Sequence, residues 1–358
     1  MYFNPQLNTI IHLLSCIVNR AEVDWSICRS FSKEDWEGLY ELAQQHGVVA
    51  VVFEKIKTIP KEFAPPRDIV LRWLSHAVSL EKQMIEKEAI AAEFADKLAV
   101  RNIPTIVLKG LAFATYYPNT HHREYGDLDC FLNGKKEEGD KAVVEFGGTM
   151  EEAGYKHSHL HYKGLMIENH RYLTSFDNSK GGIKTEQLLQ EMIATDLKPI
   201  GQTKLLTPNA EFNALFMVKH AQRHFIKEGI RLRHLLDWAL FLNAEAKNID
   251  WGRVIPAMRE CRILDFARVM TAICKDKLGL SLDIEELNGR CNISDAVLAD
   301  IMGDQPDPYH ENIFQKGVRI LRRFLRMWKF RTLADENYLR LVWNNIAFSG
   351  CLQRKARL

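Results

Sequence analysis

Ile106-Val-Leu-Lys109-Gly110, followed a dozen residues later by Arg123-Glu-Tyr-Gly-Asp127-Leu-Asp129-Cys-Phe-Leu132, places two carboxylates with one residue between them soon after a glycine-bearing turn. Side chains alternate between the faces of a strand, so Asp127 and Asp129 point the same way while Leu128 points into the sheet. Two parallel carboxylates suit Mg²⁺. That hard ion keeps several waters and takes its remaining ligands from substrate phosphates rather than from a full protein cage.

Outward from this stretch, residues 99 to about 205 read as a compact mixed unit. Thr105 to Leu108 is a short β-prone run, Lys109-Gly110 a turn, and Leu111 to Tyr117 a short helix stopped by Pro118. After the Asp127 to Leu132 strand, a charged helix is expected near 135 to 152. A polar strand through His161, a Lys163-Gly164 turn and the run Leu165 to His170 then form a hairpin, with Met166, Glu168 and His170 on one face. If Glu168 lies beside the two aspartates, a third carboxylate is in place.

The flanks are helical. In residues 1 to 98, Ser32 followed by Asp35 reads as a capped helix start, Trp36, Leu39, Tyr40 and Ala43 follow at helical spacing, and 67 to 98 is one long helix. From 206 to 358 the pattern is helical again. Thr207 is read as a cap with Pro208 at the first helical position, and helices are expected over 231 to 243, 251 to 277 and 311 to 347, with Pro306 and Pro308 interrupting. The expectation is an α+β protein: a small mixed sheet flanked by helices, with helical regions on either side.

A composition of 46% hydrophobic and 26% charged residues excludes disordered and collagen-like classes, and a formal charge of +2 does not mark out a partner. The seven cysteines are scattered and include no C-x-x-C pair, which argues against both a zinc-thiolate site and a disulfide framework. The start of the chain lacks the ordered features of a signal peptide, and no apolar run reaches membrane-spanning length. The cytoplasm is therefore the default compartment.

Leu108-Lys109-Gly110, Tyr117-Pro118, Arg123 and Asp127-Leu-Asp129, in this order and spacing, resemble the uncharacterised bacterial nucleotidyltransferase family of the polymerase-β-like superfamily. The helix opening at Asp35-Trp36, the run Ile167-Glu168-Asn-His170, and Leu215 to His220 with Leu232 to Asp237 extend the resemblance over most of 32 to 245. It implies binding of a nucleoside triphosphate and transfer of its nucleotidyl group to a hydroxyl or amine. Asp127, Asp129 and Glu168 would hold Mg²⁺, or Mn²⁺, and Glu168 would also help to deprotonate the acceptor. Gly110 corresponds to the glycine of the phosphate-binding turn, although Leu111 stands where a serine or second glycine is usual. The acceptor, whether small molecule, protein or RNA, is not readable. A catalytically silent nucleotide- or RNA-binding use of the fold, and toxin-like nucleotidylation of tRNA or protein, are the alternatives.

Lys109 and Arg123 are donors suited to phosphate oxygens, but Lys109 also reads as a solvated turn lysine and Arg123 as the partner of a nearby acid. His220 and His224, four apart on a helix, either touch nucleotide or acceptor or pack. His157, His159 and His161 alternate on one strand face; without a thiolate or an evident fourth ligand, a polar hairpin face is preferred to a transition-metal site. Lys316, Arg319, Arg322, Arg323, Arg326, Lys329 and Arg331, interleaved with Leu321, Phe324, Leu325 and Trp328, make a basic amphipathic helix. It could meet a polyanion or simply present its charges to water.

Overall fold

The computed structural model describes residues 5–174, 179–288, 292–303, 313–340 and 342. Helices α1 (Pro5–Val18), α2 (Lys33–Gln45) and α3 (Val49–Ile56) precede the long α4 (Arg67–Ala99). The start of α2 is fixed by a reciprocal cap, in which Asp35 N donates to Ser32 Oγ at 3.2 Å and Ser32 N donates to Asp35 Oδ2 at 2.9 Å. Along α4 the buried residues Trp73, Ala77, Leu80, Met84, Ala91, Phe94 and Leu98 recur at helical spacing, giving a stripe that meets the rest of the protein. Lys87 of the same helix donates to the Tyr125 carbonyl at 2.7 Å and ties α4 to the segment before Asp127.

The sheet comprises β1 (Thr105–Val107), β2 (Asp127–Phe131), β3 (Thr149–Ala153), β4 (His157–Tyr162), β5 (Leu165–His170), β6 (Lys198–Pro199) and β7 (Leu205–Thr207). Their spatial order is β3-β4-β5-β2-β1-β7-β6. β2 is antiparallel to β1 and parallel to β5, and β1 is parallel to β7, so the sheet is mixed. β4 and β5 form the expected hairpin around Lys163 and Gly164, whose φ values of 49° and 84° give the primed turn that matches strand twist. Between strands lie α5 (Leu111–Ala114), α6 (Lys136–Glu145) and α7 (Lys180–Met192).

Alternation along β4 and β5 separates two polar sets. Ser158 and Asn169, which are register partners, face α6: Ser158 Oγ donates to Asp140 Oδ2 at 2.7 Å and Asn169 Nδ2 to Asp140 Oδ1 at 2.7 Å, with Lys136 Nζ 3.0 Å from the same carboxylate. This buried network pins α6 under the hairpin. It leaves His157, His159, Glu168 and His170 on the opposite face.

The chain then continues as α8 (Ala210–Lys227), α9 (Leu232–Glu245), α10 (Trp251–Glu260), α11 (Leu264–Leu278), α12 (Ser294–Met302) and α13 (Ile313–Lys329). Buried residues from Ile10 to Leu333 belong to one contiguous hydrophobic cluster. The architecture is the expected α+β fold, with helices before, around and after the sheet.

Several local boundaries differ from the sequence reading. The charged helix ends at Glu145, and Thr149 to Ala153 is strand β3, because Gly147 at φ 87° turns the chain and a side chain on Gly148 would stand 2.5 Å from the His161 carbonyl oxygen. Thr207 closes β7, and the cap of α8 is Asn209, whose Oδ1 accepts from Phe212 N at 2.9 Å. The expected helix over 251–277 is two helices, broken where Arg262 takes φ 56°. The expected helix over 311–347 ends at Lys329, where Phe330 takes φ −107° and ψ 23° and a 3-10 turn follows at Arg331–Leu333; Pro306, Pro308 and the expected helical positions 311, 312, 341 and 343 to 347 lie outside the described residues.

Candidate active site

Parallel pairing of β2 with β5 sets Asp129 opposite Glu168 and Asp127 opposite Met166. One oxygen from each of Asp127, Asp129 and Glu168 lies within 4.8 Å of the others. Asp129 is the innermost, 2% exposed. Burial alone would raise its pKa, but Lys109 and a hydrogen bond from His170 outweigh that and hold it well below the usual carboxylate range. Lys109 Nζ stands 3.1 Å from Asp129 Oδ2, and His170 Nε2 3.0 Å from Oδ1. The Lys109 contact is an ion pair outside hydrogen-bond geometry, so the buried Oδ2 keeps unfilled acceptor capacity.

Asp127 has the opposite environment. Burial, reinforced by the charge of Asp129, pushes it up to about 6. Glu168 is shifted downward, the cost of its burial being outweighed by the hydrogen bond from His170. His170 is shifted upward by its bonds to Asp129 and Glu168, which overcome its own desolvation. The cluster is therefore three carboxylates held by Lys109 and His170, with Asp127 the least well compensated.

Lys109 and Gly110 follow β1 after Leu108, whose N donates to the Asp129 carbonyl oxygen at 3.0 Å. Lys109 is partly buried against the carboxylates and is not a solvated turn lysine. Gly110 has φ 59° and ψ −106°, a conformation that side chains resist, and an added Cβ would lie 3.2 Å from Tyr125 Cβ. Lys109, Gly110, Arg123, Asp127, Asp129 and His220 share one cleft, closed on the far side by α8 and by Arg233, His234 and Asp237 of α9. Glu168 borders the aspartates from the neighbouring strand.

Arg123 is placed differently from a free phosphate donor. Its Nε and one terminal nitrogen donate to the two oxygens of Asp237, at 2.9 and 2.8 Å, and Tyr117 Oη donates to Asp237 Oδ1 at 2.7 Å. The Tyr-Pro and Arg elements thus meet at one buried carboxylate of α9. Asp237 carries no signal in the sequence beyond its place at the end of the Leu232 to Asp237 run, and its partners lie more than a hundred positions away.

His220 faces the cleft, and burial drives its pKa well below the ordinary value, so it is a neutral imidazole there. His224 lies one turn on, its ring 4.5 Å from that of His220 and its Nδ1 3.4 Å from Glu228. The histidines of β4 divide: His157 Nδ1 and His159 Nε2 lie 3.6 and 4.0 Å from Glu168, whereas His161 Nε2 meets the exposed Glu151 at 3.0 Å. Lys156 just before them is pushed down to about 8 by burial and by Arg223.

The basic amphipathic helix forms as α13. Met327 and Phe330 are buried, whereas Leu321, Leu325, Trp328, Arg322 and Lys329 are exposed. Arg326 pairs with Asp300 at 3.1 Å, and the side chains of Lys316 and Arg319 lie outside the described residues. No helix among the described residues is long and apolar enough to cross a membrane.

A mixed sheet carrying clustered carboxylates beside a glycine turn, enclosed by helices, makes this an α+β protein. The chain belongs to the uncharacterised nucleotidyltransferase family, whose model matches residues 32–279 and so includes every residue of the cleft, from Lys109 to Met270 of α11. No curated protein and no solved structure matched the chain. Family membership supports nucleotidyl transfer as the general activity.

Proposed function

We propose that the protein transfers a nucleoside monophosphate from a nucleoside triphosphate to a hydroxyl or amine acceptor, with Mg²⁺, or Mn²⁺ in its place, held by Asp127, Asp129 and Glu168. The observation that carries this reading is the convergence of three carboxylates from adjacent parallel strands, two of which, Asp127 and Asp129, line a cleft together with Lys109 and Gly110. The donor set is all oxygen, and Asp129 Oδ2 is buried with acceptor capacity to spare, so the residues present fit a hard divalent ion. A metal bound there would offset charge building on the α-phosphate and the departing pyrophosphate.

The chain's own residues supply the rest. A bond forms between the acceptor oxygen or nitrogen and the α-phosphorus as the bond to pyrophosphate breaks, and Glu168 takes the acceptor's proton. Lys109 is the cation assigned to phosphate oxygens, and the bare backbone of Gly110 permits their close approach. Arg123 is a positioning residue: its fork holds Asp237 and thereby the start of α9 against the cleft. His220, with His224 behind it, offers a neutral ring to the nucleotide or acceptor. The acceptor is a small molecule, a protein or RNA, and the exposed basic face of α13 suits a polyanionic one.

Calorimetric titration of ATP, GTP, CTP and UTP in Mg²⁺, on wild type and on Asp127→Asn/Asp129→Asn, tests the reading. Metal-dependent binding that the double variant loses is the expected result. Binding that survives the double variant, with no pyrophosphate release by wild type, would favour a silent nucleotide- or RNA-binding protein, and absence of binding to all four overturns the proposal. Growth arrest on expression that Asp129→Ala abolishes would point to the toxin-like use.

A further inference from the structure

A group of imidazoles lies beside the carboxylates and has no part in the reaction proposed above. His157 on β4 stands opposite His170 on β5, and His159 opposite Glu168, so alternation sends all four to the face that carries Asp129. The rings of His157 and His170 are 4.9 Å apart between centroids. His157 Nδ1 lies 3.6 Å, and His170 Nε2 3.3 Å, from the same oxygen of Glu168. Donors bound tetrahedrally to one ion at about 2.0–2.2 Å stand about 3.4 Å from each other, so both spacings are those of ligands converging on a shared cation.

Two further details point the same way. The Nδ1 of His170 is 3.1 Å from the Tyr172 carbonyl oxygen, and an N–H donated there directs the other ring nitrogen toward Glu168. Metal-bound imidazoles are held in place by such a contact on the far nitrogen. The Nδ1 of His157 is buried and accepts or donates no hydrogen bond, although the residue is partly exposed. A buried imidazole nitrogen without a partner is unfavourable, and ligation relieves it.

We infer that His157, Glu168 and His170 form a second cation site, for a transition ion such as Zn²⁺ or Co²⁺, that shares Glu168 with the aspartate site. Imidazole nitrogens select these borderline ions, whereas the all-oxygen set of Asp127 and Asp129 selects a hard one. Three protein donors leave a fourth position open to water or to a ligand in the cleft. His159 Nε2, 4.0 Å from the other Glu168 oxygen, stands at the edge of the group. Ligation exchanges the present contact of His170 with Asp129 for one with the ion. The site goes beyond the nucleotidyl-transfer reading and stands if that reading fails, because it requires no nucleotide.

The test uses the full chain and Zn²⁺ alone, without nucleotide. Zinc K-edge X-ray absorption on wild type with one equivalent of metal should show imidazole scattering, and calorimetry should give an affinity that falls at least about ten-fold in His157→Ala but persists in Asp127→Asn. An oxygen-only shell, binding lost in Asp127→Asn yet unchanged in His157→Ala, or no zinc binding at all would overturn the proposal. Circular dichroism checks that the variants fold. Should His157→Ala not fold, His157→Gln replaces it.

Discussion

Asp129 on β2 and Glu168 on β5 stand opposite each other in a parallel strand pair, and His170 Nε2 bridges them at 3.0 and 3.3 Å. Register forces two like charges together, and the cost is offset by His170 on one side and Lys109 on the other. Asp127 shares in that compensation least, since Lys109 offsets only part of the cost of its burial and of the Asp129 charge. Its ionised form is consequently the strained element of the cluster.

The sign of the resulting pH dependence follows from the direction of the shift. Asp127 rises from 3.8 to about 6 on folding, so its neutral form is favoured in the native state, and that stabilisation disappears as pH rises through about 6. Metal-free Asp127→Asn is expected to exceed wild type in stability by on the order of 1–2 kcal/mol at pH 8, the full shift being discounted for solvent access. The two should converge below pH 4, and excess Mg²⁺ should narrow the gap at pH 8 by binding wild type. Urea denaturation at both pH values measures this; equal stability at pH 8 would show that the carboxylate is unstrained.

Asp237 receives three hydrogen bonds at the heart of the protein, two from Arg123 and one from Tyr117. Asp237→Ala leaves a buried guanidinium unpaired, and a loss of roughly 3–5 kcal/mol is expected. Asp237→Asn keeps an oxygen for Tyr117 and should cost less. Chemical denaturation ranks the two variants, and a neutral Asp237→Ala would refute the assigned role of Arg123 as a positioning residue.

What was legible in the sequence followed from local rules. The Ser32–Asp35 cap, the long α4, the 163–164 turn and the side-by-side aspartates each depend on residues within a few positions of one another. The parallel pairing of β2 with β5 depends on where a later strand inserts, so Glu168 could be placed beside Asp129 only conditionally. The β6–β7 strands escaped notice because they are two and three residues long, too short to show alternation. Asp237, Arg233 and His234 come to the cleft on a helix whose own pattern reports only its apolar face. The approach of His157 and His159 to Glu168 likewise comes from the β4–β5 register, not from their spacing.

Gly110 carries a backbone that other residues avoid. Gly110→Ala must accept φ 59° with ψ −106° and a Cβ 3.2 Å from Tyr125 Cβ. A destabilisation of about 1–3 kcal/mol is expected, together with weakened nucleotide binding as the turn moves. Thermal unfolding and nucleotide titration of the same sample distinguish the two effects. Unchanged nucleotide affinity in a folded Gly110→Ala protein would remove the turn from the binding site.

The exposed charges of α13 make a separate prediction, because Arg322 and Lys329 stand clear of the core that Met327 and Phe330 enter. If this face holds a single-stranded RNA, each phosphate contact contributes about 0.7 to the slope of log affinity against log salt. Arg322→Gln/Lys329→Gln should therefore lower the slope by roughly 1.4. Arg326→Gln should instead cost stability, since its guanidinium is 3.1 Å from Asp300 and is committed to holding α13 against α12. Fluorescence anisotropy with labelled RNA over a salt series reads the slope. An affinity that ignores both substitutions would return this helix to a docked element whose basic face meets only water, and would leave the cleft as the place where any RNA acceptor is held.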